Sequence, residues 1–220
     1  MMQPQTAYDH VARTGLMAGM RGHFAPDVAL AVTEVLFDAG IAAFEFTMNS
    51  VQPLEAMQAV KRALGDSAAC GMGTVLDAEM AGRVLDTGAD FIVAPTLNHG
   101  VREKAQAANV LWVPGVITPT EAQDAYAGGA KLVKIFPIGT LGVEYFKAVR
   151  GPLDHIPFIC NGGMSDKNVG EFLRAGAVAC GMANWLTGDG TWALETIRQR
   201  AQRLVDIVAE TRGEPVGVRV

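Results

Sequence analysis

From Gly15 onward, short apolar runs alternate with longer segments in which apolar residues recur at helical spacing, and Gly, Asp, Asn or Pro marks most junctions. The runs Leu16–Met20, Ile41–Thr47, Ala68–Gly73, Phe91–Pro95, Val110–Gly115, Leu132–Phe136, Pro157–Cys160 and Val178–Gly181 read as strands. Between the first two, Pro26–Ala39 sets Val28, Val32, Val35 and Leu36 on one helical stripe, which Gly40 stops. The same pattern predicts helices over Val51–Leu64, Asp77–Thr87, Gly100–Asn109, Pro119–Ala127, Val143–Val149, Asp166–Ala175 and Trp192–Thr211. The phrases Asp38-Ala39-Gly40, Thr87-Gly88-Ala89, Gly128-Gly129-Ala130 and Ala175-Gly176-Ala177 recur where a helix ends and a strand begins. About eight strand–helix units is the number that closes a parallel barrel, although a doubly wound open sheet shares the alternation. The expected fold class is α/β, a single (β/α)8 TIM barrel. One domain is expected over residues 1–220, with 1–13, partly helical, and about 212–220 as terminal extensions.

Composition narrows the partners. The 220 residues are 50% hydrophobic and 19% charged, enough for one globular core. A net charge of -5 offers no footprint for nucleic acid or an anionic membrane, so an anionic small molecule would need a local basic or amide site. Cys70, Cys160 and Cys180 lie in apolar runs without zinc-site spacing, and read as buried, reduced thiols. Met1–Arg13 lacks the basic start and apolar stretch of a signal peptide, and no run approaches the roughly 20 apolar residues of a membrane span. A cytoplasmic location is expected.

In a barrel the strand C-termini and following loops form the active face. Lys134, in Leu132-Val133-Lys134-Ile135-Phe136-Pro137, places an amine among apolar neighbours at the barrel mouth, where it could attack a ketone. Lys131 has the opposite parity and should face away. In Ala43-Phe44-Glu45-Phe46-Thr47, alternation turns Glu45 and Thr47 inward and the phenylalanines outward. A carboxylate beside an amine can shuttle protons, but a purely structural Glu45–Lys134 pair shares this geometry. Thr118 before Pro119 suits a helix N-cap. Asn161-Gly162-Gly163-Met164-Ser165 and Gly181-Met182-Ala183-Asn184, after the seventh and eighth runs, supply backbone amides and helix starts where barrels commonly hold anions.

The stretch from Gly15 to Thr211 resembles the 2-keto-3-deoxy-6-phosphogluconate and 6-phosphogalactonate aldolases, class I enzymes of the Entner-Doudoroff and related pathways. The most specific matches are Gly71-Met72-Gly73-Thr74-Val75-Leu76, Val113-Pro114-Gly115-Val116-Ile117-Thr118-Pro119-Thr120-Glu121 and Val133-Lys134-Ile135-Phe136-Pro137. The resemblance implies Lys134 as Schiff-base former and Glu45 as acid/base group. It implies Arg21 and Thr74 near anionic groups of the substrate, and Pro95 and Phe136 as pocket walls. Asn161, Gly162, Gly163, Gly181 and Asn184 would then surround a phosphate. Two departures bear on that end of the substrate: Asn161 replaces the usual threonine of Thr-Gly-Gly, and Ala183-Asn184 aligns with the usual Gly-Ser. Met48-Asn49-Ser50 is closer to the galactonate-type Leu-Asn-Ser than to Leu-Arg-Thr.

The resemblance further implies cleavage of a keto-deoxy sugar acid to pyruvate and glyceraldehyde 3-phosphate, no metal or other cofactor, and a homotrimer. The alternatives are an aldolase for an unphosphorylated keto-deoxy acid or 4-hydroxy-2-oxoglutarate, a phosphosugar isomerase or epimerase, and a barrel that binds a sugar acid without turning it over.

Overall fold

Strand follows strand around one parallel sheet: β1 (Leu16–Met20), β2 (Ala43–Thr47), β3 (Ala69–Gly73), β4 (Phe91–Val93), β5 (Leu111–Val113), β6 (Gly115–Val116), β7 (Val133–Ile135), β8 (Phe158–Asn161) and β9 (Ala179–Met182). The structure is a computed structural model and describes residues 1–215. β9 returns to β1, with Met17 opposite Gly181. β5 pairs with β4, and β6 with β7. The predicted run Val110–Gly115 is thus split in two at Pro114, which has no N–H for a ladder bond. The Pro114 carbonyl still accepts from the Lys134 amide at 2.8 Å. Counted with β5 and β6 as one stave, the nine segments give the TIM-barrel-like ring that the eight sequence units predict.

The helices are α1 (Pro4–Thr14), α2 (Pro26–Asp38), α3 (Pro53–Leu64), α4 (Ala78–Leu85), α5 (His99–Ala107), α6 (Pro119–Ala127), α7 (Ile138–Arg150), α8 (Val169–Arg174), α9 (Asn184–Thr187) and α10 (Leu194–Arg212). Their starts carry local signals. Proline occupies the first turn of α2, α3 and α6, and the Asp77 and Asn98 side chains accept from Met80 N and Val101 N. Thr118 and Glu121 form a capping box, and the backbone amides of Ile117 and Thr118 hold the Glu121 carboxyl below its usual range. α7 breaks at Gly142 (φ 80°, ψ 173°), so the predicted Val143–Val149 is its second half. α9 has no counterpart in the periodicity.

Alternation divides the core in two. Phe44, Phe46, Val133 and Ile135 pack outward under the helices. Met17, Ala43, Ala69, Phe91, Leu111, Leu132, Ile159 and Ala179 fill the lower barrel interior, and Met2, Ala7 and Val11 join them. The first residues, expected to be an extension, therefore form a helix that covers the bottom of the barrel. Fully buried Asp90 ties this cover down: it accepts from Met2 N at 2.7 Å and Cys70 N at 3.1 Å, and pairs with Lys61. The three cysteines are buried. Desolvation raises the Cys70 thiol to about 12 and raises Cys160 and Cys180 as well, which keeps all three neutral. At the other end, α10 runs to Arg212. Of the expected C-terminal extension, 216–220 lie outside the described residues. No helix among the described residues is long and apolar enough to cross a membrane.

Candidate active site

Glycine hollows the upper half of the barrel. The inward parity set by Met17, Ala69, Val113 and Ala179 continues upward to Gly19, Gly71, Gly73, Gly115 and Gly181. Two of these make room for polar side chains: a Cβ on Gly73 would stand 1.8 Å from Glu45 Oε1, and one on Gly181 2.2 Å from Asn161 Nδ2. The resulting cavity, about 470 Å³, is lined by Gly19, Arg21, Glu45, Thr47, Lys134, Phe136, Asn161, Gly162, Gly163, Met164, Ser165, Gly181, Met182, Ala183, Asn184 and Trp185.

Lys134 and Glu45 are 5% and 6% exposed and reach this cavity from opposite sides of the ring. Lys134 lies opposite Gly115 and Ile159, and Glu45 opposite Gly19 and Gly71. Their Nζ and Oε1 atoms are 3.9 Å apart. A charge-assisted pair that closes on itself sits near 2.7–2.9 Å, so the two heads face a shared space that a substrate oxygen can enter. The Phe136 ring lies 5.0 Å from Nζ, within cation–π range. Lys131, by contrast, is exposed, with Nζ 3.5 Å from Gln5 Oε1 of the bottom helix.

Arg21 is positioned through its neighbours. Thr47 Oγ1 donates to Met20 O at 3.2 Å and lies 2.8 Å from Ser50 Oγ, which accepts from Gly22 N at 3.1 Å. These bonds fix the Met20–Gly22 turn, and from it the exposed Arg21 side chain lines the cavity.

The opposite wall is an amide-rich loop pair. Gly162 and Gly163 adopt φ of 86° and 77°, the left-handed region that glycine enters without strain. Their carbonyls are engaged, Gly162 O by Gly139 N at 2.8 Å and Gly163 O by Asn168 Nδ2 at 2.9 Å. Among the described residues, the amides of Gly162, Gly163 and Asn184 donate to no other group of the chain. The expected helix start is absent behind the first loop: a turn through Ser165 and Asn168 separates Gly163 from α8. Asn184 opens α9, which is a single turn. Any anion preference here comes from loop amides, because so short a helix carries little dipole.

Nine of the eleven residues singled out in the sequence converge on the cavity wall: Arg21, Glu45, Lys134, Phe136, Asn161, Gly162, Gly163, Gly181 and Asn184. Thr74 and Pro95 do not line it. Thr74 follows inward-facing Gly73 and so has outward parity; it is half-buried at φ 60°, a strained conformation for a β-branched residue. Pro95 packs over Gly115, where an added Cβ would meet its carbonyl at 2.3 Å. Sequence reasoning missed Trp185 as a wall residue. Its placement depends on Arg200 of α10, whose guanidinium carbon lies 5.0 Å from the Trp185 ring and 4.2 Å from that of Trp192. Gly19 was within reach, since it shares the parity of Met17.

The comparisons agree with this geometry. A family model described as KDPG and KHG aldolase matches residues 16–199. The 2-dehydro-3-deoxy-6-phosphogalactonate aldolase of Escherichia coli is 34% identical over 187 residues, covering 84% of this chain and 91% of that protein. The KHG/KDPG aldolase of the same organism is 28% identical over 159 residues, 72% of this chain and 74% of the relative. A solved structure described as native KDPGal superposes with a TM-score of 0.85 at 33% identity, covering 90% of this chain and 96% of that one. With the match running from β1 past β9 and the lysine–glutamate pair inside it, the chain belongs to the KDPG and KHG aldolase family.

Proposed function

We propose that this chain is a class I aldolase that cleaves a 2-keto-3-deoxy-6-phospho sugar acid, of the phosphogluconate or phosphogalactonate type, to pyruvate and glyceraldehyde 3-phosphate. The observation that carries this reading is the buried Lys134–Glu45 pair, 3.9 Å apart at the mouth of the barrel. Lys134 Nζ attacks the C2 carbonyl and water leaves, giving an iminium. Glu45 takes the proton of the C4 hydroxyl, the C3–C4 bond breaks, and its electrons pass into the iminium to give an enamine. The aldehyde departs, C3 is reprotonated, and hydrolysis releases pyruvate. Arg21, on the cavity rim, faces the substrate as a cation for one of its anionic ends. The steps need no group beyond the chain's own side chains and water.

The phosphate end is assigned to the loops after β8 and β9, where the unbonded amides of Gly162, Gly163 and Asn184 face the cavity. Pyruvate release from phosphorylated and unphosphorylated forms of the same keto-deoxy acid tests this. The expected result is a higher kcat/KM for the phosphorylated form. Indifference, or preference for the free alcohol, would show that Asn161 and Asn184 shape the pocket for an uncharged terminus.

The described residues are read as one domain with α1 as its lower cover, in a cytoplasmic enzyme. A homotrimer is expected from the family resemblance. Light scattering at low micromolar concentration should give a mass near three times 23.2 kDa, and a clean monomer would contradict it.

A further inference from the structure

The Asn161 side chain is 6% exposed, lines the cavity, and its Oδ1 has no hydrogen-bond partner in the chain. A buried amide oxygen left without a donor is costly, and such atoms in native folds are normally satisfied. The orientation is fixed by packing: the amide nitrogen lies over Gly181, the residue opposite Asn161 in the β8–β9 ladder, where no Cβ intervenes. We propose that Asn161 Oδ1 accepts a hydrogen bond from a substrate hydroxyl, and that this contact makes the chain selective for aldehydes with a hydroxyl on the carbon next to the carbonyl. The proposal rests on the aldolase reading above and names its substrate class more closely.

Register locates that hydroxyl. Ile159 lies opposite Lys134, and Asn161 is two residues further along the same inward face, roughly 6–7 Å toward the mouth. Gly162 and Gly163 follow it directly. Asn161 therefore stands between the amine that holds C2 and the loop assigned to the C6 phosphate. Glu45 takes the C4 hydroxyl, which leaves the C5 hydroxyl, the one that becomes the α-hydroxyl of the released aldehyde. A phosphate dianion offers only acceptors and cannot satisfy Oδ1. Glyoxylate, the aldehyde product of 4-hydroxy-2-oxoglutarate, presents a carboxylate at this point, so the chain should use it poorly.

The test runs in the condensation direction with pyruvate, comparing D-glyceraldehyde with 3-hydroxypropanal, which lacks only the α-hydroxyl, and with glyoxylate. The wild type should favour glyceraldehyde over 3-hydroxypropanal by roughly 10- to 100-fold in kcat/KM, the scale of one buried polar contact. Asn161→Leu, similar in size but without the acceptor, should bring that ratio toward one and narrow the gap to glyoxylate. A wild-type ratio near one overturns the proposal without any variant. So does an Asn161→Leu protein that keeps the wild-type ratio. Failure of the aldolase reading looks different: no borohydride-trapped pyruvate adduct forms, whichever aldehyde is supplied.

Discussion

Replacing Lys134 with methionine is expected to abolish the covalent intermediate and with it the cleavage of keto-deoxy acid. In the wild type, borohydride reduction in the presence of pyruvate should add one pyruvate-derived group, and peptide mass analysis should place it on the segment containing Val133-Lys134-Ile135. Lys134→Met keeps the length of the side chain and the apolar fit beside Phe136 but has no nucleophile, so turnover should fall by on the order of four decades or more, as for loss of other covalent nucleophiles. The variant leaves the Glu45 carboxylate buried without its cation, which costs stability. Circular dichroism and a thermal melt are therefore needed beside the assay, and a folded, inactive protein with a lowered Tm is the expected outcome. An adduct on exposed Lys131, or undiminished cleavage by Lys134→Met, would overturn the assignment.

Glu45→Gln should separate the two halves of the mechanism. The amide keeps the shape that Gly73 accommodates and removes the proton acceptor, so cleavage should drop by roughly two to four orders of magnitude. Schiff-base formation with pyruvate should survive in part, because Lys134 remains and pyruvate has no C4 hydroxyl. Adduct yield and pyruvate release measured on one preparation give the comparison. If release proceeds at the wild-type rate, the carboxylate is a structural partner of Lys134 and nothing more.

The two chemical residues were legible in the sequence because strand alternation is local. Ala43-Phe44-Glu45-Phe46-Thr47 can bury its phenylalanines under helices only by turning Glu45 inward, and the fold does so. Thr118 and Glu121 were equally readable, since a capping box closes within one helical turn. The N-terminal helix was not: Ala7 and Val11 make too small an apolar stripe to announce burial, and what they cover is assembled from strands throughout the chain. Trp185 needed α10, and the outward turn of Thr74 needed the exit path of β3.

The sequence by itself determined the order and number of the strand–helix units, the inward parity of Glu45 and Lys134, and the glycine-rich loops after β8 and β9. All of these follow from periodicity and turn chemistry within a few residues. Only the tertiary structure decided that Glu45 and Lys134 stop 3.9 Å apart across one cavity, that Gly73 and Gly181 are the spaces their neighbours' side chains fill, and that Asn161 Oδ1 is left without a partner. Those facts are set by closure of the ring through the stave split at Pro114. Closure fixes distances between residues far apart in the chain, and no local pattern encodes them.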